Sequence, residues 1–279
     1  MRIAYQGEPG AYSEAAALTF DAAADVLPCP TFDAVFDAVS RGAATHGILP
    51  MENSIGGSIH RNYDLLVEHE LPIVGEVELR VDHCLLALPG ISLSDVRVVY
   101  SHPQALAQCE AALASLAGVE IVAVYDTAGA AKQIREGGRR DAAAVASRRA
   151  AEVFQLAVLR ESIQDFADNI TRFFVIARTA RDVVSPDKTS IVFALQSAPG
   201  ALYKALAGFA LRDINLTKLE SRPLRGRPWE YLFYADLDAG RDSVACGRAL
   251  AHLGEFARWV RTLGTYESWA RRSAPAAAK

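Results

Sequence analysis

From its first residues the chain repeats one order: a short apolar run, a small polar stretch, then a helical segment. RIAYQ leads through GEPGA into YSEAAALTFDAAA, and HGILPM leads through ENSIGGS into IHRNYDLLVEHE. Later, VRVVYS precedes PQALAQCEAALASLAG, VEIVAVY precedes AGAAKQIREG, and DAAAVAS precedes RRAAEVF. Repeated strand-then-helix order implies parallel sheets covered by helices. TFDAVFDAVSRGA puts Phe32, Val35, Phe36 and Val39 on one helical face, with Thr31 as the predicted N-cap. LPIVGEVELRVDHCLLALPG is long and β-rich. The order changes after TARDVVSPDK, residues 179–188, a charged stretch containing Pro186 that suits a linker. SIVFALQ, GALYKALAGFALRD, INLTKLESRPL, WEYLFYADLDA, RDSVACGRALAHLGEF and WVRTLGTYES then read as βαββαβ, with a turn at RGRP. That order is ferredoxin-like. The chain divides on this reading into a larger α/β region at 1–180, a small α+β domain at 188–270 and a frayed tail at 271–279.

Composition narrows the function. The 279 residues are 51% hydrophobic and 22% charged, a globular balance. A net charge of −4 gives no sequence-independent grip on nucleic acid. The basic pairs Arg139–Arg140, Arg148–Arg149 and Arg271–Arg272 read as solvated faces. Cys29, Cys84, Cys109 and Cys246 form no CxxC and sit among apolar residues, so buried reduced thiols are expected and no metal site. The histidines make no HExxH. No apolar run is long enough for a membrane span, and no signal peptide is read at the start. A cytoplasmic protein is expected, or the trimmed mature form of a plastid one.

The strand ends carry the functional signal. QGEPGAYS, PMENSIGGS, SHPQ and DTAG each follow an apolar run and precede a helix. In open α/β sheets ligands bind at such ends, facing the N–H groups of helix N-termini, which suit a carboxylate. Singly each is explained without a ligand: Thr31, Ser101 and Asp126 as N-caps, Pro103 as a first-turn proline. GEPG lacks the GxxxxGK[ST] phosphate-loop form. The group Asn169-Ile170-Thr171-Arg172 stands just before the buried-strand pattern FFVIA. Either Thr171 and Arg172 deliver a stiff hydroxyl and a carboxylate-gripping guanidinium to a cleft, or Arg172 pairs with Asp165 or Asp168 while Thr171 caps a turn.

Taken together, QGEPGAYSEAA, LPMENSIGGSIHRNYDLL, SHPQALAQC, DTAGAAKQI, DNITRFFVIAR and NLTKLESRP resemble the prephenate dehydratases and the plant-type arogenate dehydratases, in order and over nearly the whole chain. The resemblance implies a two-lobed, periplasmic-binding-protein-like (type II) catalytic part, its second lobe at about 80–158, followed by a ferredoxin-like ACT regulatory domain. It implies that prephenate loses water and CO2 to give phenylpyruvate, or arogenate the same to give phenylalanine, with no cofactor. Carried over residue by residue, Thr171, Arg172 and Glu52 are the expected catalytic group, with Thr171 and Arg172 presented side by side. Asn53, Ser54, Ser101, Gln104, Thr127 and Phe173 are expected to line the substrate site, Tyr12 to line or pack, and His102 to pack. Ala11 in GAYSE stands where many bacterial dehydratases have threonine, which leans toward the plant type and arogenate.

The same resemblance implies phenylalanine as an effector, bound where Gly200, Ala201 and Leu202 of one chain meet Asn215, Leu216, Thr217, Glu220 and Ser221 at a dimer interface of ACT domains. A homodimer, or a homotetramer built from it, is the expected assembly. The rival reading is a non-catalytic amino-acid sensor with a two-lobed ligand-binding region.

Overall fold

The computed structural model describes residues 1–180, 183, 185–224, 226–227 and 229–274. They form two compact units, Met1–His69 with Val77–Phe174, and Glu70–Glu76 with Val175–Lys279. The linear cut near residue 180 is therefore not where compactness divides the chain: Glu70–Glu76 group with the later residues.

The elements run β1 (Arg2–Gln6), α1 (Tyr12–Phe20), β2 (Asp25–Cys29), α2 (Phe32–Ser40), β3 (His46–Asn53), β4 (Gly57–Ser58), α3 (His60–His69), β5 (Ile73–Arg80) and β6 (Cys84–Ala87). A 3-10 turn at Leu93–Asp95 precedes β7 (Val98–Ser101), α4 (Pro103–Ala107), α5 (Glu110–Ala114), β8 (Glu120–Ala123), α6 (Thr127–Gly137), β9 (Ala142–Ala146), α7 (Arg148–Phe154), β10 (Ala157–Arg160) and β11 (Ile170–Ala177). β5 and β11 contribute residues to both units.

In the first unit two sheets make two lobes. One has β1 between β2 and β3, both parallel to it, and β11 beside β3. The other runs β10-β6-β9-β7-β8, with β7 parallel to β8 and β9 and β6 antiparallel to β9. β9, AAAVA, is wholly buried, and its small side chains let α6 lie close to it. β2 and β10 lie at sheet edges, where Pro28 can sit without breaking a central ladder. Neither strand is apparent from sequence pattern, because each carries few buried apolar residues.

One expected helix, from Pro103 onward, is broken into α4 and α5. The Asp165 N–H takes the Gln108 carbonyl at 2.8 Å, and the Asp165 carboxylate accepts from the Ala111 N–H at 3.2 Å. A distant segment thus competes for the helix's own groups at the break. The N-cap of α4 is His102, whose Nδ1 accepts from the Gln104 N–H; Ser101 is instead the last residue of β7. Thr31 and Asp126 cap α2 and α6 as expected.

The second unit holds β12 (Lys188–Leu195), α8 (Ala201–Ala210), β13 (Leu216–Pro223), β14 (Tyr231–Leu237), α9 (Val244–Phe256), β15 (Ala257–Tyr266) and α10 (Trp269–Arg272). Its antiparallel sheet has the order β13-β14-β12-β15, the ferredoxin-like arrangement of βαββαβ. Ile191, Phe193 and Leu237 from the sheet pack with Ala205, Phe209, Ala249 and Leu253 from α8 and α9. Each large apolar side chain fully buried there contributes roughly 1.5–3 kcal/mol. Arg271 and Arg272, expected in a frayed tail, close α10, while 275–279 lie outside the described residues. Arg225 and Pro228 of the RGRP turn, and Arg181, Asp182 and Val184 of the expected linker, also lie outside them.

Candidate active site

Thr171 follows Ile170 at the start of β11, and Asn53 is the last residue of β3. Asn53 Nδ2 donates to Thr171 Oγ1 at 3.0 Å and to Asn169 Oδ1 at 2.6 Å. Asn53 Oδ1 accepts from the N–H groups of Ile55 at 3.1 Å and Gly56 at 2.7 Å, an Asx turn that folds the NSIGG loop over its own first residue. Gly56 lets the Gln104 amide lie against the loop: a Cβ there would sit 2.0 Å from Gln104 Nε2 and displace that side chain's end. Ser54 ties the loop to the strand mouth, donating to the Asp168 carbonyl at 2.6 Å and accepting from the Ile170 N–H at 2.9 Å.

From Asn169 the bonding continues into the second lobe. Asn169 Nδ2 donates to Gln108 Oε1 at 3.0 Å, and that oxygen also faces His83 Nε2 at 3.0 Å. His83 Nδ1 lies 2.9 Å from the Tyr12 hydroxyl, which also lies 2.8 Å from the Asp82 carbonyl. Asn53, Asn169, Gln108, His83 and Thr171 are all buried. Burial is the main influence on His83 and lowers its pKa below the usual imidazole value, against a hydrogen bond to the Gln108 oxygen and the charge of Asp82. Burial pushes the Tyr12 phenol well up and the Cys109 thiol up to about 12, so both stay protonated.

Tyr12, Asn53, His83, Gln108 and Thr171 of this chain form one wall of a cavity of about 160 Å³, lined by both lobes. Thr171 and Phe173 meet Asn53, Gln108 and His83 at its inner end, and Gln104 and Thr127 come from the second lobe. Tyr12, Ser13, Ile59, His102, Gln104 and Thr127 continue into a wider mouth with Thr31, Asp33, Tyr125 and Asp126. On one side the first lobe already touches the second: Ser147 Oγ donates to the Gly10 carbonyl at 2.6 Å, and Glu8 bonds Tyr125 at 3.2 Å and Lys132 at 3.1 Å. The first turn of α1 gets no side-chain cap from Ala11, so its N–H groups at Tyr12 and Ser13 are available to an anion in the cavity.

Several expected site residues stand elsewhere. Arg172 and Glu52 do not line this cavity. Successive residues of a strand point to opposite faces, so Thr171 with Phe173 face the cavity while Arg172 with Phe174 face away. Arg172 Nε meets Glu52 Oε1 at 2.7 Å, and its guanidinium lies 5.0 Å from the centre of the Phe174 ring. Glu52 is likewise one residue out of phase with Asn53. Ser101 is fully buried, and its hydroxyl donates to the Val145 carbonyl at 2.6 Å, a packing role. Ser54 shapes the loop without lining the cavity. His102, expected to pack, both caps α4 and lines the cavity. His83 and Gln108 were missed, because a lone histidine and a glutamine in apolar stretches read as core.

In the second unit Gly200, with φ 73, precedes α8, and Ala201 and Leu202 form its first turn. Asn215 Nδ2 bonds Asp238 Oδ2 at 3.0 Å, and Glu220 meets Lys218 at 3.5 Å. Leu216, Thr217, Glu220 and Ser221 lie on β13, an edge strand. Asn215 follows the far end of α8 from Gly200, and ten helical residues span about 15 Å. One chain therefore does not bring Gly200 and Asn215 together.

Two α/β lobes closing over an anion-sized cavity with a fixed hydroxyl at its inner end define a small-molecule enzyme site, with a ferredoxin-like domain beside it in sequence. Comparison with known proteins names the family. The prephenate dehydratase family matches residues 3–181. Arogenate dehydratase/prephenate dehydratase 2 of Arabidopsis thaliana, a chloroplastic protein, is 52% identical over 280 residues, 95% of this chain and 72% of that protein. Among solved structures, prephenate dehydratase of Arthrobacter aurescens in complex with L-Phe has a TM-score of 0.89 at 30% identity, covering 100% of this chain and 93% of that one. GqqA, described as a quorum-quenching acylase, has a TM-score of 0.89 at 39% identity, covering 96% and 98%. The chain belongs to the prephenate dehydratase family.

Proposed function

We propose that this protein catalyses the decarboxylating dehydration of prephenate, arogenate or both, a carbon–oxygen lyase reaction giving phenylpyruvate or phenylalanine. The ring carboxylate leaves as CO2, and the electrons of its carbon–carbon bond enter the ring. The ring C–O bond breaks at the opposite carbon, and the departing hydroxide takes a proton to become water. Aromatisation drives the step. The protein's task is to hold the ring and stabilise the departing oxygen.

The observation that carries this reading is the fixed direction of Thr171. Its oxygen accepts from Asn53 Nδ2, so its hydroxyl hydrogen is turned toward the cavity and can donate to the leaving hydroxyl. Positioned proton donation of this kind is worth roughly 10²–10⁴-fold in rate. Phe173 and Ile59 offer apolar surface against the ring, and the α1 N-terminus a partial positive charge for a carboxylate. Arg172 and Glu52, on the other face of their strands, support β3 against β11 and do not touch substrate.

The test is incubation of the purified chain with prephenate and, separately, arogenate. Phenylpyruvate and phenylalanine formation are followed. Absence of turnover with both ends the proposal.

The likeness to GqqA favours one second reading, amide hydrolysis. A threonine nucleophile needs a base at its oxygen. Here that oxygen accepts from an amide N–H, and His83 is separated from it by Gln108, Asn169 and Asn53. The arrangement makes Thr171 a donor, and cleavage of N-acyl substrates by the wild type but not by Thr171→Val would reverse that assignment.

For the second unit we propose phenylalanine binding at the α8 N-terminus of one chain and the start of β13 of another, in a homodimer or a homotetramer built from it. The separation of Gly200 from Asn215 within one chain supports a two-chain site. Calorimetry with phenylalanine, alongside sedimentation, tests it: no heat of binding removes the effector assignment.

A further inference from the structure

The amide and imidazole groups behind Thr171 have only one consistent direction of donation. A backbone N–H can only donate, so the Ile55 and Gly56 N–H groups fix the Asn53 oxygen as the acceptor. Its nitrogen therefore donates to Asn169 Oδ1 at 2.6 Å and Thr171 Oγ1 at 3.0 Å, with the Ile170 carbonyl a more distant acceptor at 3.3 Å. Asn169 must then present its nitrogen to Gln108, and Gln108 its oxygen to both Asn169 and His83. The 3.4 Å approach of Gln108 Nε2 to Asn53 Oδ1 agrees with that orientation. With an acceptor in front of it at 3.0 Å, His83 Nε2 has to carry a hydrogen.

The other ring nitrogen is not so constrained. The Tyr12 hydroxyl lies between the Asp82 carbonyl at 2.8 Å and His83 Nδ1 at 2.9 Å, and has one hydrogen to give. If Nδ1 is protonated, Tyr12 donates to Asp82 and accepts from the ring; if it is not, Tyr12 donates to the ring. Either state leaves Nε2 protonated. The charged neighbour bearing on the ring is Asp82, whose carboxylate is held by Arg80 at 3.1 Å and Gln164 at 2.8 Å. α1 presents Tyr12, the break between α4 and α5 presents Gln108, and the 164 segment presents Gln164 to the His83 N–H, all neutral.

We infer that His83 is a positioning residue of the dehydration: it keeps a hydrogen on Nε2 in both charge states and so anchors the far end of the chain Gln108–Asn169–Asn53, whose direction the Ile55 and Gly56 N–H groups set, holding Asn53 in place against the Thr171 hydroxyl. This rests on the reading of Thr171 as the donor to the leaving group, but the ring assignment does not depend on turnover. Loss of the Nε2 donor leaves the Gln108 oxygen short of one partner and frees the amide to rotate. Rotation of Gln108 reverses Asn169, and the Asn53 nitrogen loses its shortest acceptor and is drawn toward the Ile170 carbonyl, 3.3 Å away, in competition with Thr171.

Two measurements on the full chain test it. The first is nitrogen NMR of ¹⁵N-histidine-labelled protein between pH 5 and pH 9, with the His83 signals identified by their loss in His83→Gln. Nε2 is expected to stay protonated throughout while Nδ1 alone titrates; an Nε2 without hydrogen at high pH overturns the inference. The second is kinetics. His83→Leu is expected to lower kcat about tenfold, as for one buried hydrogen bond, with KM changed less than about twofold. His83→Gln, whose amide nitrogen can still reach Gln108, is expected to recover most of that. His83→Leu added to Thr171→Val is expected to cost nothing more, since both act through one hydroxyl. Equal impairment of the leucine and glutamine variants, or a full extra loss in the double variant, overturns the positioning role. Failure of the wild type to turn over either substrate refutes the proposed function instead, and the NMR result then decides the ring assignment by itself.

Discussion

Asn53 Nδ2 stands 3.0 Å from Thr171 Oγ1, and this one bond decides which way the hydroxyl faces. Replacing Thr171 with valine keeps the branched shape and removes the donor. We expect kcat to fall by about 10²–10⁴-fold while the melting temperature stays nearly constant. Thr171→Ser is expected to retain part of the activity, limited by the freer χ1 of serine. Steady-state kinetics and thermal melts on the pair check this, and near-normal turnover by the valine variant removes Thr171 from the reaction.

Arg172 and Glu52 are expected to matter for stability and not for substrate affinity. Arg172 is buried and Glu52 partly so, and their ion pair joins β11 to β3. Glu52→Gln is expected to destabilise by about 1 kcal/mol, because Glu52 keeps some contact with water and glutamine keeps an acceptor beside Arg172. KM should change less than about twofold. A large rise in KM with unchanged stability would return Arg172 to the substrate's carboxylate.

The contrast between Thr171 and Arg172 shows how far the sequence reaches. The α/β order, the ferredoxin-like segment and the polar loops at strand ends follow from local patterns, whereas Thr171, Asn53, Gln104 and Thr127 as site residues follow from the resemblance carried over residue by residue. The alternation of a strand that begins at Ile170 also turns Thr171 and Arg172 to opposite faces. His83 and Gln108 are different. Their partners lie 25, 61 and 71 positions away, and no local pattern marks a histidine whose role is set by such distant groups. The break between α4 and α5 has the same origin, since Asp165 imposes it from outside the helix.

The buried imidazole makes stability depend on pH. Burial lowers the His83 pKa in the folded protein, so below the ordinary imidazole range, about pH 6.5, the unfolded chain binds a proton that the folded chain resists. This contribution is present above that range and is lost as pH falls toward the folded-state value. Melts of wild type and His83→Gln between pH 5 and pH 8 check the sign. The wild type is expected to lose more stability on acidification, and parallel curves would mean the ring does not titrate differently in the two states.

The mouth of the cavity gives an expectation about substrate choice. In both substrates the hydroxyl and the side chain sit on opposite ring carbons, so a hydroxyl held at Thr171 sends the side chain toward Thr31, Asp33, Tyr125 and Asp126. Arogenate carries an ammonium there and prephenate a keto group, so a carboxylate at the mouth favours arogenate. Asp33 is already paired with Arg61, whose guanidinium holds its carboxyl below the usual range. Asp126 uses Oδ1 to cap α6, accepting from the N–H groups of Ala128 at 2.7 Å and Gly129 at 3.2 Å, which leaves its charge less opposed. Asparagine caps helices as well as aspartate does, so Asp126→Asn removes the charge and keeps the helix start. We expect this variant to lose roughly tenfold in kcat/KM for arogenate relative to prephenate, the size of one charge contact between the water and surface limits. Asp33→Asn is expected to shift the ratio less, because Arg61 already offsets that charge. An unchanged ratio in Asp126→Asn would mean that the side chain lies elsewhere, and with it the ring direction inferred from Thr171.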